Sequence, residues 1–507
     1  MSASSRFVEV TLGKSVAVES VPLLGETEFQ EGLLSGVVQG WRVSSFFGVS
    51  VGSGVQLFVL LADDRENHLF AARMEVQGNS FASLTPQCPQ IHLFEREIAE
   101  QFGLIPRGHP ELKPVRYHRS WTDHDAWGRD LQTVVLPAVH DFYRVEGQQV
   151  HEVSVGPVHA GIIEPGHFRF QCHGEEVFHL EIALGFQHRG VEESLAGGPN
   201  KRTRHLLETV AGDSTIAHGT SYSQILESLS GSHPSARAQI LRGIALELER
   251  LANHVGDLGA LAGDTGFLPT SSFCGRIRGD FLNLTALLCG NRFGRDFVVP
   301  GGVLFDLDDQ RREEFQRRLA VMEPETKSAI NLLWENQSVM ARLENTGRLP
   351  QAMAIELGVV GPAARAAGLA RDVRFNQPSG IYRLAQIPVS TFESGDVFAR
   401  AYVRWLEIQQ SLDFIRDQLQ TMPAGEVGSF VEPLAPNSLS VSLNEGWRGE
   451  VCHAAITDAQ GRFVRYKIVD PSFHDWSALA FVMRNQEISD FPLCNKSFNL
   501  SYCGHDL

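Results

Sequence analysis

Residues 236–263, "ARAQILRGIALELERLANHVGDLGALAG", carry apolar side chains at helical spacing along their whole length. An amphipathic helix of this kind is not stable alone and must bury its stripe against other elements. Further segments with the same period run from about 188 to 345. Another, "DVFARAYVRWLEIQQSLDFIRDQLQ" (396–420), places Val397, Ala401, Val403, Leu406 and Ile408 toward a bundle. The centre of the chain is therefore committed to packed helices.

Both flanks read differently. Residues 46–63, "FFGVSVGSGVQLFVLLAD", are too broken by Gly, Ser and Gln to span a membrane, and read as two strands joined at "GSG". "HLFAARMEV" continues the strand pattern. "LFEREIAEQFGL" (93–104) is an acidic amphipathic helix with Phe94, Ile98 and Phe102 as its stripe, stopped by "PRGHPELKP". Residues 1–118 are thus expected to form a small α+β domain, 119–142 a linker, and 143–507 a second domain. Two hairpins are expected at 143–184, turning at Gly147 and Gly174. "SLSVSLNEGWRGEVCHAAITD" and "RFVRYKIVD" supply further strands, and a short helix with coil follows Pro471. The fold class is α+β: a small α+β unit, then a mainly helical unit flanked by antiparallel strands.

Composition narrows the functions. A chain of 507 residues is expected to form two or three domains. With 44 Lys and Arg against 60 Asp and Glu, the net charge of −16 argues against nucleic acid or an anionic lipid surface. No run of about 18 apolar residues predicts a transmembrane segment. "MSASSRFVEV" lacks the plan of a secretory signal, so a cytoplasmic location is expected. The seven cysteines include no Cys-x-x-Cys pair, which predicts free thiols and removes the usual ligand set for an iron–sulfur cluster or structural zinc. No Gly-x-Gly-x-x-Gly or Walker loop is present, so direct NAD or ATP binding by this chain is not expected.

Several motifs carry a family resemblance. "LFEREIAEQFGLIPRGHPELKP" resembles the 30 kDa-type subunit of complex I. "VGPVHAGIIEPGHFRF" (155–170), "GFQHRGVEE" (185–193), "ALELERLANHVGDLG" (245–259), "PGGV" (300–303), "GPAARAAGLARDVR" (361–374), "GDVFARAYVRWLE" (395–407), "EGWRGEV" (445–451) and "DPSFHDW" (470–476) resemble the 49 kDa-type subunit. The same stretches resemble the large subunit of group 4 nickel–iron hydrogenases, including the formate hydrogenlyase type. Together they cover most of the chain in the family's order, as a fusion of the two subunits.

The resemblance implies a vacated metal site. Hydrogenases hold nickel and iron by two Cys-x-x-Cys pairs. Carried over, these fall on Ala211 and Ser214, and on Ser472 and Asp475, so a nickel–iron centre is not expected. It also implies a cavity lined by the 156–168 loop, with Glu164, His167 and His159 as candidates for proton transfer or for hydrogen bonding a quinone headgroup. The resemblance puts His188 and Arg189 in "FQHRGVEE", with Glu192, near a partner's cluster, and His218 near that cluster or the metal. No Tyr lies between Leu207 and Ser221, where complex I offers one to the quinone, and Asp213 and Ser214 are the candidate substitutes. Arg365, Asp372 and Arg374 form a charge cluster whose plainer reading is a structural ion-pair network. Asp470, His474 and Asp475, with the loop histidines, offer only weak spacing for another ion. The expected role is an electron-transferring subunit of a membrane-associated NADH-quinone oxidoreductase-like or hydrogenase-like complex. It would sit peripherally on the cytoplasmic side and would carry no covalently bound cofactor. Its partners would be a small subunit with a [4Fe–4S] cluster, a ferredoxin-like subunit and membrane antiporter-like subunits. The alternatives are a scaffold whose cavity is filled by side chains, and a metal-dependent hydrogenase.

Overall fold

The computed structural model describes residues 6–130 and 132–507. The first five residues of the N-terminal segment, and position 131 within the expected linker, lie outside the described residues.

The N-terminal unit is built on a five-stranded sheet. Strand His68–Glu75 pairs with Gly54–Asp63, which pairs with Arg42–Val51; Val8–Glu9 and Leu23–Leu24 add to the other edge. Val51 stands opposite Gly54, so the "GSG" stretch makes the tight turn, with Gly52 at φ 58°. Helix His92–Phe102 buries Phe94, Ile98 and Phe102 and ends at Gly103, whose left-handed conformation (φ 66°) closes the last turn.

This unit does not finish at its own sheet. Val16–Ala17 pairs with strand Ser438–Gly446, at the edge of a second antiparallel sheet continued by Gly449–Thr457 and Phe463–Val469. Phe46, Phe58 and Phe94 share one apolar cluster with Leu439, Val441, Ala454, Ile456 and Phe473. The two ends of the chain therefore share a core.

Strands Val150–Val155, His167–His173 and Glu176–Ala183 form a third sheet, the last two turning at Gly174. The hairpin expected at Gly147 does not form, because residues 143–149 are not a strand. That segment lies along side chains of the sheet instead of pairing with its edge. The Tyr143 N–H donates to Glu181 and the Val145 N–H to the Gln171 side chain, while Phe142 packs against Arg169. Among the described residues no helix or strand occurs between Arg107 and Val150. The linker is nonetheless pinned, with Trp121 against Phe102 and beneath the Arg465 guanidinium.

Helices Thr215–Ser230, Ala236–Asp264, Leu268–Cys289, Asp309–Glu335 and Val397–Thr421 make the helical core. Ser235 caps the second of these by accepting from the Ala238 N–H. That helix is central and buried around most of its circumference, with Leu241, Leu248, Leu251 and Val255 in the core and Arg250 and His254 buried as well. Truncating one such leucine to alanine costs on the order of 2–5 kcal/mol. Gly259 permits the close crossing of Leu268–Cys289, since a Cβ there would stand 2.6 Å from the Cys274 Cβ. All seven cysteines are free and buried. Among the described residues no helix is long and apolar enough to cross a membrane.

Candidate functional site

Helix Thr215–Ser230 begins at Ser214, and its first N–H groups need an acceptor. They find one in the central helix: Glu249 accepts from the Ile216 and Ala217 N–H groups at 2.7 and 3.3 Å. Burial pushes the Glu249 carboxyl up to about 8, against the pull of those two hydrogen bonds. Ala211 and Ser214 are both buried at this helix start.

One turn in, His218 is completely buried. Its Nε2 lies 3.1 Å from Asp470 Oδ2 and its Nδ1 3.0 Å from His453 Nε2. His453 Nδ1 in turn lies 2.9 Å from the Tyr466 hydroxyl. Burial raises the Asp470 carboxyl, but His218, Arg448 and the Ser472 hydroxyl outweigh it and hold the group below its ordinary value. Burial drives His453 well below the usual imidazole range, with His218 acting in the same direction. With Asp470 ionised, His218 donates to it from Nε2. A neutral His453 donates from one ring nitrogen and accepts at the other, so its tautomer sets the direction of the bonds to His218 and Tyr466.

Asp470 also caps helix Pro471–Val482 by accepting from the Ser472 N–H at 2.9 Å. Arg448 closes the near side. Its guanidinium takes both oxygens of Asp213 at 2.6 and 2.8 Å, stands 3.9 Å over the Trp447 ring and lies 3.4 Å from the Ser214 hydroxyl.

The space among these segments is taken by residues 499–507. The Ser501 N–H donates to the Ser472 hydroxyl at 2.8 Å, and the Cys503 N–H to Glu164 at 3.2 Å. Burial raises the Cys503 thiol to about 11, with Glu164 adding to the effect. Asp506 accepts from the Gly185 and Gln187 N–H groups. Every residue from 501 to 507 is buried.

Of the expected residues, Glu164, His159, His188 and Ser472 contact this tail. Glu164 reaches it through Cys503, and His159 through Tyr502 at 3.4 Å. His188 reaches it through the Asp506 carbonyl at 2.9 Å and stacks on His118. Arg189 sits to one side, donating to the Thr209 and Val210 carbonyls. Glu192 is in a separate buried cluster with Arg465, Lys467 and Gln101. His167 stands on the outer sheet beside Phe142. Asp475 points away toward the Val360 N–H, 3.0 Å off, and burial raises its carboxyl well above the ordinary range. His474 is buried, with neither ring nitrogen bonded among the described residues. Arg365, Asp372 and Arg374 form a buried ion network with Glu407, Glu445 and Glu247. Burial raises Glu445 within it to about 7, although Arg365 opposes the shift.

Sequence reasoning did not single out His453, Tyr466, Arg448, Glu249 or the tail. Arg448 lies inside the quoted "EGWRGEV" stretch, so its position was within reach. His453 sits in a strand buried throughout and Tyr466 in one where only Val464 is exposed, so alternation gives no sign of a polar pair.

A fused two-part subunit with a buried polar centre at the join of helices and sheet is a recognisable class, and comparison gives it a family. The models for the respiratory-chain NADH dehydrogenase 49 Kd subunit and 30 Kd subunit match residues 264–440 and 37–133. Over 350 residues the chain is 33% identical to the carbon monoxide-induced hydrogenase of Rhodospirillum rubrum, spanning 69% of this chain and 97% of that protein. It is 28% identical over 481 residues to formate hydrogenlyase subunit 5 of Escherichia coli, spanning 92% of this chain and 84% of the relative. The fold is shared with a chain of the archaeal membrane-bound sulfane sulfur reductase, at TM-score 0.67 and 24% identity, covering 72% of this chain and 100% of that one. The chain belongs to the family of complex I 49 kDa-type subunits and hydrogenase large subunits, with a 30 kDa-type domain fused ahead. Its relatives are oxidoreductase subunits of hydrogenase and NADH-quinone oxidoreductase complexes.

Proposed function

We propose that the chain is the large peripheral subunit of a membrane-bound, respiratory-type oxidoreductase complex, and that its centre conducts protons instead of holding a metal. It would work on the cytoplasmic face beside a small subunit carrying a [4Fe–4S] cluster, with ferredoxin-like and antiporter-like subunits completing the complex.

The donor set does not fit a nickel–iron centre, which needs soft thiolates. Ala211 offers no donor, the Ser472 hydroxyl is engaged by the Ser501 N–H, and the Asp475 carboxylate by the Val360 N–H. Arg448 beside Ser214 brings positive charge to the same place. A quinone headgroup at this position would have to displace the buried tail, so the tail favours a filled hollow over an open acceptor cavity.

The observation that carries the reading is the buried line Tyr466–His453–His218–Asp470, whose members lie 2.9 to 3.1 Å apart. A proton reaching Tyr466 shifts each bond along by one position and neutralises Asp470. A change of charge beside Arg448 would drive that shift. The chain's own residues then supply both path and terminus.

The test uses the purified complex. Metal analysis should find no stoichiometric nickel, and His218→Gln should lower electron-transfer turnover at least tenfold while the partner's cluster remains reducible. One nickel per chain, or full turnover in the variant, would sink the proposal.

A further inference from the structure

We infer that His205, Glu208 and Asp296 hold a divalent transition-metal ion on the flank of the polar centre. The inference is independent of the proton path proposed above.

His205 and Glu208 lie at the end of the short helix Thr203–Leu207 and just beyond it, and Asp296 comes from the turn after Leu268–Cys289. One ligand atom from each of the three lies within 4.8 Å of the other two. His205 Nδ1 is 3.8 Å from Asp296 Oδ1 and 4.0 Å from Glu208 Oε2. Ligand atoms around an ion with bonds of about 2.1 Å stand roughly 3.4 Å apart in a tetrahedron. Small rotations of the exposed His205 and the half-exposed Asp296 close that difference.

Glu208 supplies a second observation. Its side chain is only 3% exposed, yet no Lys or Arg lies within salt-bridge distance among the described residues. One oxygen accepts from the Asp296 N–H at 2.9 Å; the other faces His205 and takes no hydrogen bond among the described residues. That second oxygen is turned toward the other two donors and is free to take an ion. Arg204 pairs with Asp296 and orients it without reaching that oxygen.

The chemistry of the donors sets the class of ion. One imidazole nitrogen with two carboxylate oxygens suits Zn2+, Mn2+ or Fe2+ better than Mg2+ or Ca2+. Three protein ligands leave at least one position for water or a partner's group. The ion would tie the turn at Asp296 to the segment running into Thr209 and Val210, whose carbonyls Arg189 holds. It would thereby stiffen the approach to Ala211 and Ser214 from outside.

The test is a Mn2+ titration of the chelator-stripped full-length chain, followed by the loss of the free-ion electron paramagnetic resonance signal. Zn2+ serves as competitor. One Mn2+ should bind per chain and be displaced by Zn2+. His205→Gln and Asp296→Asn, at exposed positions and with circular dichroism unchanged, should each weaken binding at least tenfold. Absence of stoichiometric binding in the parent chain, or equal binding in both variants, would overturn the assignment.

Discussion

Gly504→Ala puts the packing of the tail against Asp470 to a direct test. A Cβ at position 504 would stand 2.6 Å from the Asp470 Cγ and 2.8 Å from both carboxylate oxygens. Asp470 has little freedom to yield, because one oxygen holds the Ser472 N–H and the other His218. If the carboxylate turns away, it loses a charge-assisted hydrogen bond worth about 1.5–3 kcal/mol and a helix cap worth about 1 kcal/mol. If the tail moves instead, overpacking costs about 1–3 kcal/mol. The two routes together predict a loss of roughly 1–4 kcal/mol. Urea unfolding followed by tryptophan fluorescence reads it, with Trp447 and Trp476 close to the perturbation. Gly275→Ala is the control: it is helical with nothing within 4 Å of the added methyl, so it should be neutral or stabilise by up to about 1 kcal/mol. A Gly504→Ala chain within about 0.5 kcal/mol of the parent would refute the reasoning, since surface-like changes fall in that range.

Two pH effects follow from groups buried in the fold. Glu249 is raised to about 8 when folded, so its contribution is present below the unfolded value near 4.5 and is lost as pH rises through 8. Glu249→Gln removes that loss: its stability relative to the parent should climb by a few kcal/mol between pH 5 and 8, and a flat difference would contradict the burial argument. Burial depresses His92 to about 3 and His109, His254 and His474 to about 4. Their contribution is present above about 6.5 and is lost as pH falls toward 4, so the urea midpoint should drop over that interval. An unchanged midpoint from pH 7 to 4 would show these rings taking protons while folded.

The elements with strong local patterns were legible from the sequence. The 93–104 stripe, the "GSG" turn and the 236–263 period each become the expected helix or turn, because each buries one face against whatever packs there. Gly147 misled, because a glycine marks a turn without saying that two strands meet across it. The sequence could not show that Arg169, Gln171 and Glu181 would offer the 142–145 segment a better berth than the sheet edge. The polar centre was half legible. Ala211, Ser214 and His218 stand at a helix start that punctuation reveals, whereas their partners Asp470, His453 and Arg448 lie more than two hundred residues away. The tail 501–507 has no period at all; its burial comes from hydrogen bonds to Glu164, Ser472 and the backbone at Gly185, which only the assembled chain supplies.

The pairing of Val16–Ala17 with Ser438–Gly446 bears on how the polypeptide is made. Synthesis releases the N-terminal unit first, several hundred residues ahead of the strands it needs. Until they emerge, that unit presents an unsatisfied β-edge and bare apolar rings, the two features that most invite aggregation. The portion born earliest is thus the one completed last, and it depends on a guardian or on rapid elongation for the interval between.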